Sequence, residues 1–60
     1  MPDFKNMTKE EALDYCYLHK DDYIHGFDSI YEGNRQFDCL VSILESGTIS
    51  PADLRDYGME

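Results

Sequence analysis

Cysteine and histidine are the side chains of this 60-residue chain with the widest chemical reach, and there are two of each: Cys16, Cys39, His19 and His25. Cys16 and His19 are three apart in Cys16-Tyr17-Leu18-His19, so on a helix they are neighbours able to share a zinc ion. Cys39 can turn toward them from its own helix, whereas His25 falls on a polar side. Cys16, His19 and Cys39 are therefore the metal candidates, a set one donor short, which would make the chain a zinc-stabilised structural module. The competing expectation is that both thiols act as small buried hydrophobes, with no metal or other cofactor. A Cys16 to Cys39 disulfide would add about 2 to 4 kcal/mol, but a cytoplasmic setting keeps such thiols reduced.

Catalysis finds less support in the sequence. A nucleophilic Cys39 would need an exposed thiolate beside an imidazole, and Phe37-Asp38-Cys39-Leu40-Val41 reads as a buried, inert setting. Asp21 and Asp22 are sequence neighbours, so on a helix they point to different parts of its surface. No phosphate-cradling glycine loop is present, and the stretch from Asp28 to Gly33 lacks the alternating ligands of a calcium loop. A domain of this size has little room for an ordinary ligand pocket. The chain reads as a binding protein and not as an enzyme.

The elements that must position these residues are marked by three helix-start signals. Thr8-Lys9-Glu10-Glu11 is a capping box that starts a helix at Lys9. Ala12, Leu13, Cys16, Tyr17, Tyr23 and Ile24 fall on its apolar side, opposite Glu11, Asp14, Asp21, Asp22 and His25, and Gly26 stops it. Lys20 lies in the middle of the apolar side, so either its stem snorkels to water or the helix breaks near Lys20 and Asp21. One continuous helix is the preferred reading. Ser29-Ile30-Tyr31-Glu32 is a second capping box, and the helix it starts runs to Ser46 and closes on Gly47. Gly33 costs that helix about 1 kcal/mol against alanine, and it lets the first helix approach. Phe37, Leu40, Val41 and Leu44 make its buried stripe, with Cys39 and Ile43 as a second apolar side. Ser50-Pro51-Ala52-Asp53 starts a short third helix ended by Gly58, with Ile49, Leu54 and Tyr57 as a lid.

The expected fold is all-α: a small three-helix domain of two longer antiparallel helices plus a short C-terminal helix. Residues 1–7 form an N-terminal arm from which Phe4 packs inward while the rest frays, and residues 8–60 form a single helical domain. A chain this short buries a modest core, and oligomerisation is one way to support it.

Thirteen acidic residues against five basic ones give a net charge of -8. That field disfavours nucleic acid and anionic membranes and favours a basic protein partner, although acidity also serves solubility alone. Lys5, Lys9, Lys20, Arg35 and Arg55 form no basic face. Met1 to Met7 is polar with no apolar segment after it, and no run approaches the roughly 20 apolar residues of a membrane span. A cytoplasmic location is expected.

The segments Lys9-Glu-Glu-Ala-Leu-Asp-Tyr-Cys-Tyr17, Gln36-Phe-Asp-Cys-Leu-Val-Ser-Ile-Leu-Glu45 and Pro51-Ala-Asp-Leu-Arg-Asp-Tyr-Gly-Met59 resemble short acidic bacteriophage reading frames to which no activity is attached. The resemblance implies a phage-type accessory protein with host or defence proteins as partners, and it supplies no site residues.

Two surfaces are candidates for binding. One is the outer side of the first helix, where Tyr15 and Leu18 sit among Glu11, Asp14, Asp22 and His25, an apolar centre with a polar rim. The other is Cys39 and Ile43, suited to homo-oligomerisation. The functional expectation is a protein-interaction module, an inhibitor or modulator. One specific version is a nucleic-acid mimic that sets Asp14, Asp21, Asp22, Asp38 and Glu45 against a basic groove.

Overall fold

The computed structural model describes residues 3–59. Met1 and Pro2 of the expected arm, and Glu60 at the end of the expected domain, lie outside them. The described chain is all-α as expected: a 3-10 turn at Phe4–Asn6, α1 (Lys9–Leu18), α2 (Lys20–Ile24), α3 (Ile30–Glu45) and a 3-10 helix at Pro51–Tyr57.

α1 starts at the expected capping box. The Glu11 amide donates to Thr8 Oγ1 at 3.1 Å, and the Thr8 amide donates to the Glu11 carboxylate at 2.9 Å. The single first helix is corrected to two. At His19 the backbone leaves helical geometry (φ −104°, ψ 16°) and re-enters it at Lys20. The break falls beside Lys20, whose charge an unbroken helix would set on the apolar side. Here its ammonium instead sits 5.2 Å from the centroid of the Phe37 ring, within cation–π range.

α3 is the scaffold. Gly33, Phe37, Leu40, Val41 and Leu44 are all buried along one stripe. Only half of its expected capping box forms: the Glu32 amide donates to Ser29 Oγ at 3.1 Å, but the Glu32 carboxylate turns away to accept from Gln36. The other end closes on Gly47, at φ +83°, where Thr48 N–H reaches Ile43 C=O and Gly47 N–H reaches Leu44 C=O. That is the paired hydrogen bonding by which a left-handed residue ends a helix. Lys9 of α1 adds a bond from its ammonium to the Glu45 carbonyl at 3.0 Å.

The two strands of contact fix the layout. The start of α1 meets the end of α3 through Lys9 and Glu45. The end of α2 meets the start of α3 where a Cβ on Gly33 would fall 2.4 Å from the Ile24 carbonyl oxygen. α1 and α2 together thus run antiparallel to α3, and Gly33 permits the close approach expected of it.

The described part of the arm is docked: Phe4 is buried in the core, and its turn packs against the C-terminal 3-10 helix. That C-terminal helix winds as 3-10, a form favoured in short pieces. Its Asp53 carboxylate accepts from the Ser50 amide at 2.9 Å. Ile49 and Leu54 cover the core as expected, but Tyr57 is corrected to an exposed residue, and Met59 fills the place instead. After Gly58, at φ +94°, Met59 turns back and donates its amide to the Leu54 carbonyl.

Candidate protein-binding surface

The surface centres on the break between α1 and α2. Because α1 spends its inward positions on Ala12 and Cys16, Leu18 at its last residue points outward and is 79 % exposed. Glu11, Asp14 and Asp22 are exposed as expected, though the Glu11 carboxylate is also engaged in capping Thr8. His25 is exposed, with its Nδ1 against the Asp21 carbonyl.

Tyr15 is corrected: it is half-buried and not part of an exposed centre. Docking of the N-terminal turn places the Phe4 ring edge-on at 5.3 Å, and the His19 ring lies over Tyr15 at 4.3 Å. The aromatic beside Leu18 is instead Tyr17, expected on the buried side but 58 % exposed. Its ring meets Phe37 edge-on at 5.4 Å. The surface is therefore the consecutive pair Tyr17 and Leu18, with Asp14, Asp21 and Asp22 exposed before and after it.

Below the break lies a half-open groove of about 310 Å3 lined by His19, Asp22, Tyr23, Gly58 and Met59. The Tyr23 hydroxyl donates to the Tyr57 carbonyl at 3.2 Å, and its ring meets Phe27 and Phe37 edge-on. Burial pushes the Tyr23 phenol above its ordinary range, and the nearby Cys16 and Cys39 thiols add to the shift. A second groove, about 290 Å3, is lined by Asp3, Phe4, Lys5, Ala52, Arg55 and Asp56.

The metal candidates are not gathered. Cys16 is fully buried and His19 is half-buried against Tyr15. Cys39, expected to be buried and inert, is corrected to an exposed thiol, because the α3 stripe that faces the core leaves its position outside. Among the described residues no group of three or more His, Cys, Asp or Glu is placed to hold a metal ion, and both cysteines are free thiols. Burial pushes the Cys16 thiol up. Ile43, the companion of Cys39, is half-buried against the core.

Sequence reasoning missed Ile30 and Tyr31, used there only as helix-start residues, which are 50 % and 73 % exposed. The signal was present: Tyr31 does not share the spacing of Phe37, Leu40 and Leu44. It also missed Met59, although an apolar residue just after a helix-ending glycine often folds back on the last turn. Among the described residues no helix is long and apolar enough to cross a membrane. No protein-family model, curated protein or solved structure matches the chain.

Proposed function

We propose that this chain is a small acidic protein-interaction module of phage type, which modulates a basic host or defence protein in the cytoplasm by binding and not by catalysis. The observation that carries the reading is Leu18, 79 % exposed beside an exposed Tyr17, between Asp14 and the pair Asp21 and Asp22. A lone surface leucine is ordinary. A leucine and a tyrosine side by side within a carboxylate rim match the apolar centre and polar edge of an interface. The carboxylates of Asp14, Asp21, Asp22, Asp38 and Glu45 are all exposed, which supports a basic partner, including one whose basic groove ordinarily takes nucleic acid.

The test is capture of partners from host lysate on the immobilised chain, at low and high salt, with wild type and Leu18→Ser side by side. Leu18 is exposed and lies outside the core cluster, so the substitution is expected to leave the fold intact. Capture that weakens with salt and with Leu18→Ser supports the reading. Capture indifferent to both removes it. The proposal includes self-association through the exposed Cys39 and the adjacent Ile43, for which light scattering over a range of concentrations must show mass rising with concentration.

A further inference from the structure

We propose that the groove formed by His19, Asp22, Tyr23, Gly58 and Met59 is a receptor for a single arginine side chain of the partner protein. The inference rests on the reading of the chain as a protein-interaction module and names the chemistry of one subsite within it.

Size comes first. Ligand clefts begin at about 300 Å3, and this groove, at about 310 Å3 and half-open, suits the end of a side chain better than a free metabolite. Its walls have a definite character. Tyr23 offers a ring held in place at both ends, by its hydroxyl bond to the Tyr57 carbonyl and by edge contacts with Phe27 and Phe37. The His19 ring is held by stacking on Tyr15. Gly58 forms part of the lining in a left-handed conformation, at φ +94°, that suits glycine.

Asp22 lines the same groove, an exposed carboxylate with no hydrogen-bond or ionic partner among the described residues. One unpaired carboxylate beside fixed aromatic faces is complementary to one planar cation. Guanidinium can stack on a ring while it donates two parallel hydrogen bonds to a carboxylate, which a lysine ammonium cannot do. The net charge of -8 raises the local concentration of cations at every acidic position. Charge alone therefore does not select this groove, and the aromatic walls must.

The experiment is a nuclear magnetic resonance titration of the full chain with N-acetyl-arginine amide, and in parallel with the N-acetyl amides of citrulline and lysine. Saturable shifts confined to His19, Tyr23, Gly58 and Met59 are expected with the arginine compound, weaker ones with lysine, and none with the neutral citrulline isostere. Asp22→Asn should weaken arginine binding about tenfold, the size of a lost charge-assisted hydrogen bond. Asp28→Asn, which removes an exposed carboxylate from the bend before α3, outside the groove lining, should leave it unchanged.

Equal binding of citrulline, shifts that never saturate, or equal loss in the two aspartate variants would overturn the proposal. The two readings fail separately. If arginine binding is absent while Leu18-dependent capture persists, the groove is lost and the interaction module stands. If capture is indifferent to salt and Leu18 while the groove still binds arginine, the module reading falls by itself.

Discussion

α3 and the α1–α2 stretch are the two long sides of one helical hairpin, yet they are built on different terms. α3 buries Gly33, Phe37, Leu40, Val41 and Leu44 along one stripe and ends in a fully hydrogen-bonded glycine turn. Its partner buries only Ala12, Cys16 and Ile24, breaks at His19, and meets the core through the edges of Tyr17 and Tyr23. The first is specified by its own periodicity. The second takes its shape from what it packs against, and it is the side that carries the exposed Tyr17 and Leu18 and the groove. On the proposed reading, regular packing and partner binding are thus divided between the two sides.

The hardest test of that division is at the point where they touch. A Cβ on Gly33 would lie 2.4 Å from the Ile24 carbonyl oxygen and 2.8 Å from its Cα, so backbone must move. Gly33→Ala gains about 1 kcal/mol in helix propensity, while overpacking costs about 1 to 3 kcal/mol or more. With main chain as the obstacle the cost falls at the upper end, and a net loss of about 2 kcal/mol is expected. Urea unfolding should show a lower midpoint at unchanged slope. A Gly33→Ala protein more stable than wild type would mean that α2 does not approach α3 this closely.

What the sequence made legible follows the same line. α3 could be read almost to its end residues, because the stripe, Ser29 and Gly47 all agree on one element. The break at His19 could be foreseen only as a conflict over Lys20, since its resolution depends on Phe37, seventeen positions away in sequence and 5.2 Å away in space. Spacing alone puts Tyr15 outward and Tyr17 inward, the reverse of what the structure has, for a related reason. Helical periodicity places a residue on a face, but Phe4, arriving from outside the helix, decides that Tyr15 is covered. The groove was not legible, because Met59 enters it only by the turn back at Gly58.

The two cysteines sharpen the comparison, one on each side of the hairpin. Cys16 is buried and Cys39 exposed, so in the native protein alkylation should consume Cys39 first and reach Cys16 only on opening. Burial raises the folded Cys16 thiol above its ordinary 9.0. The unfolded thiol ionises first as pH rises, so the stabilisation is complete below about pH 9 and is lost as pH climbs through the folded value. Tyr23, raised from 10.0 chiefly by burial, adds a later loss of the same sign. Urea midpoints followed from pH 8 upward should decline, and Cys16→Ala should flatten the early part of that decline while Tyr23→Phe flattens the later part. An unchanged decline in Cys16→Ala would show that α1 holds its inner face more loosely than the structure depicts.

The smallest effect belongs to Lys20, and it decides why the first helix breaks at all. Its ammonium over the Phe37 ring is worth about 0.5 to 1 kcal/mol by the usual scale of such contacts. Two terms modify that figure: a cation at the start of α2 opposes the helix dipole by a few tenths, whereas a positive charge on a chain of net charge -8 relieves repulsion. Lys20→Met keeps the apolar stem and removes only the cation. A loss of about 0.5 kcal/mol, shrinking as salt is added, is expected from urea unfolding of the two proteins in parallel. If Lys20→Met instead matches or exceeds wild type at every salt concentration, the ammonium is tolerated over Phe37 and not used. The break at His19 would then have to be explained by what it exposes, the pair Tyr17 and Leu18, and not by what it tucks away.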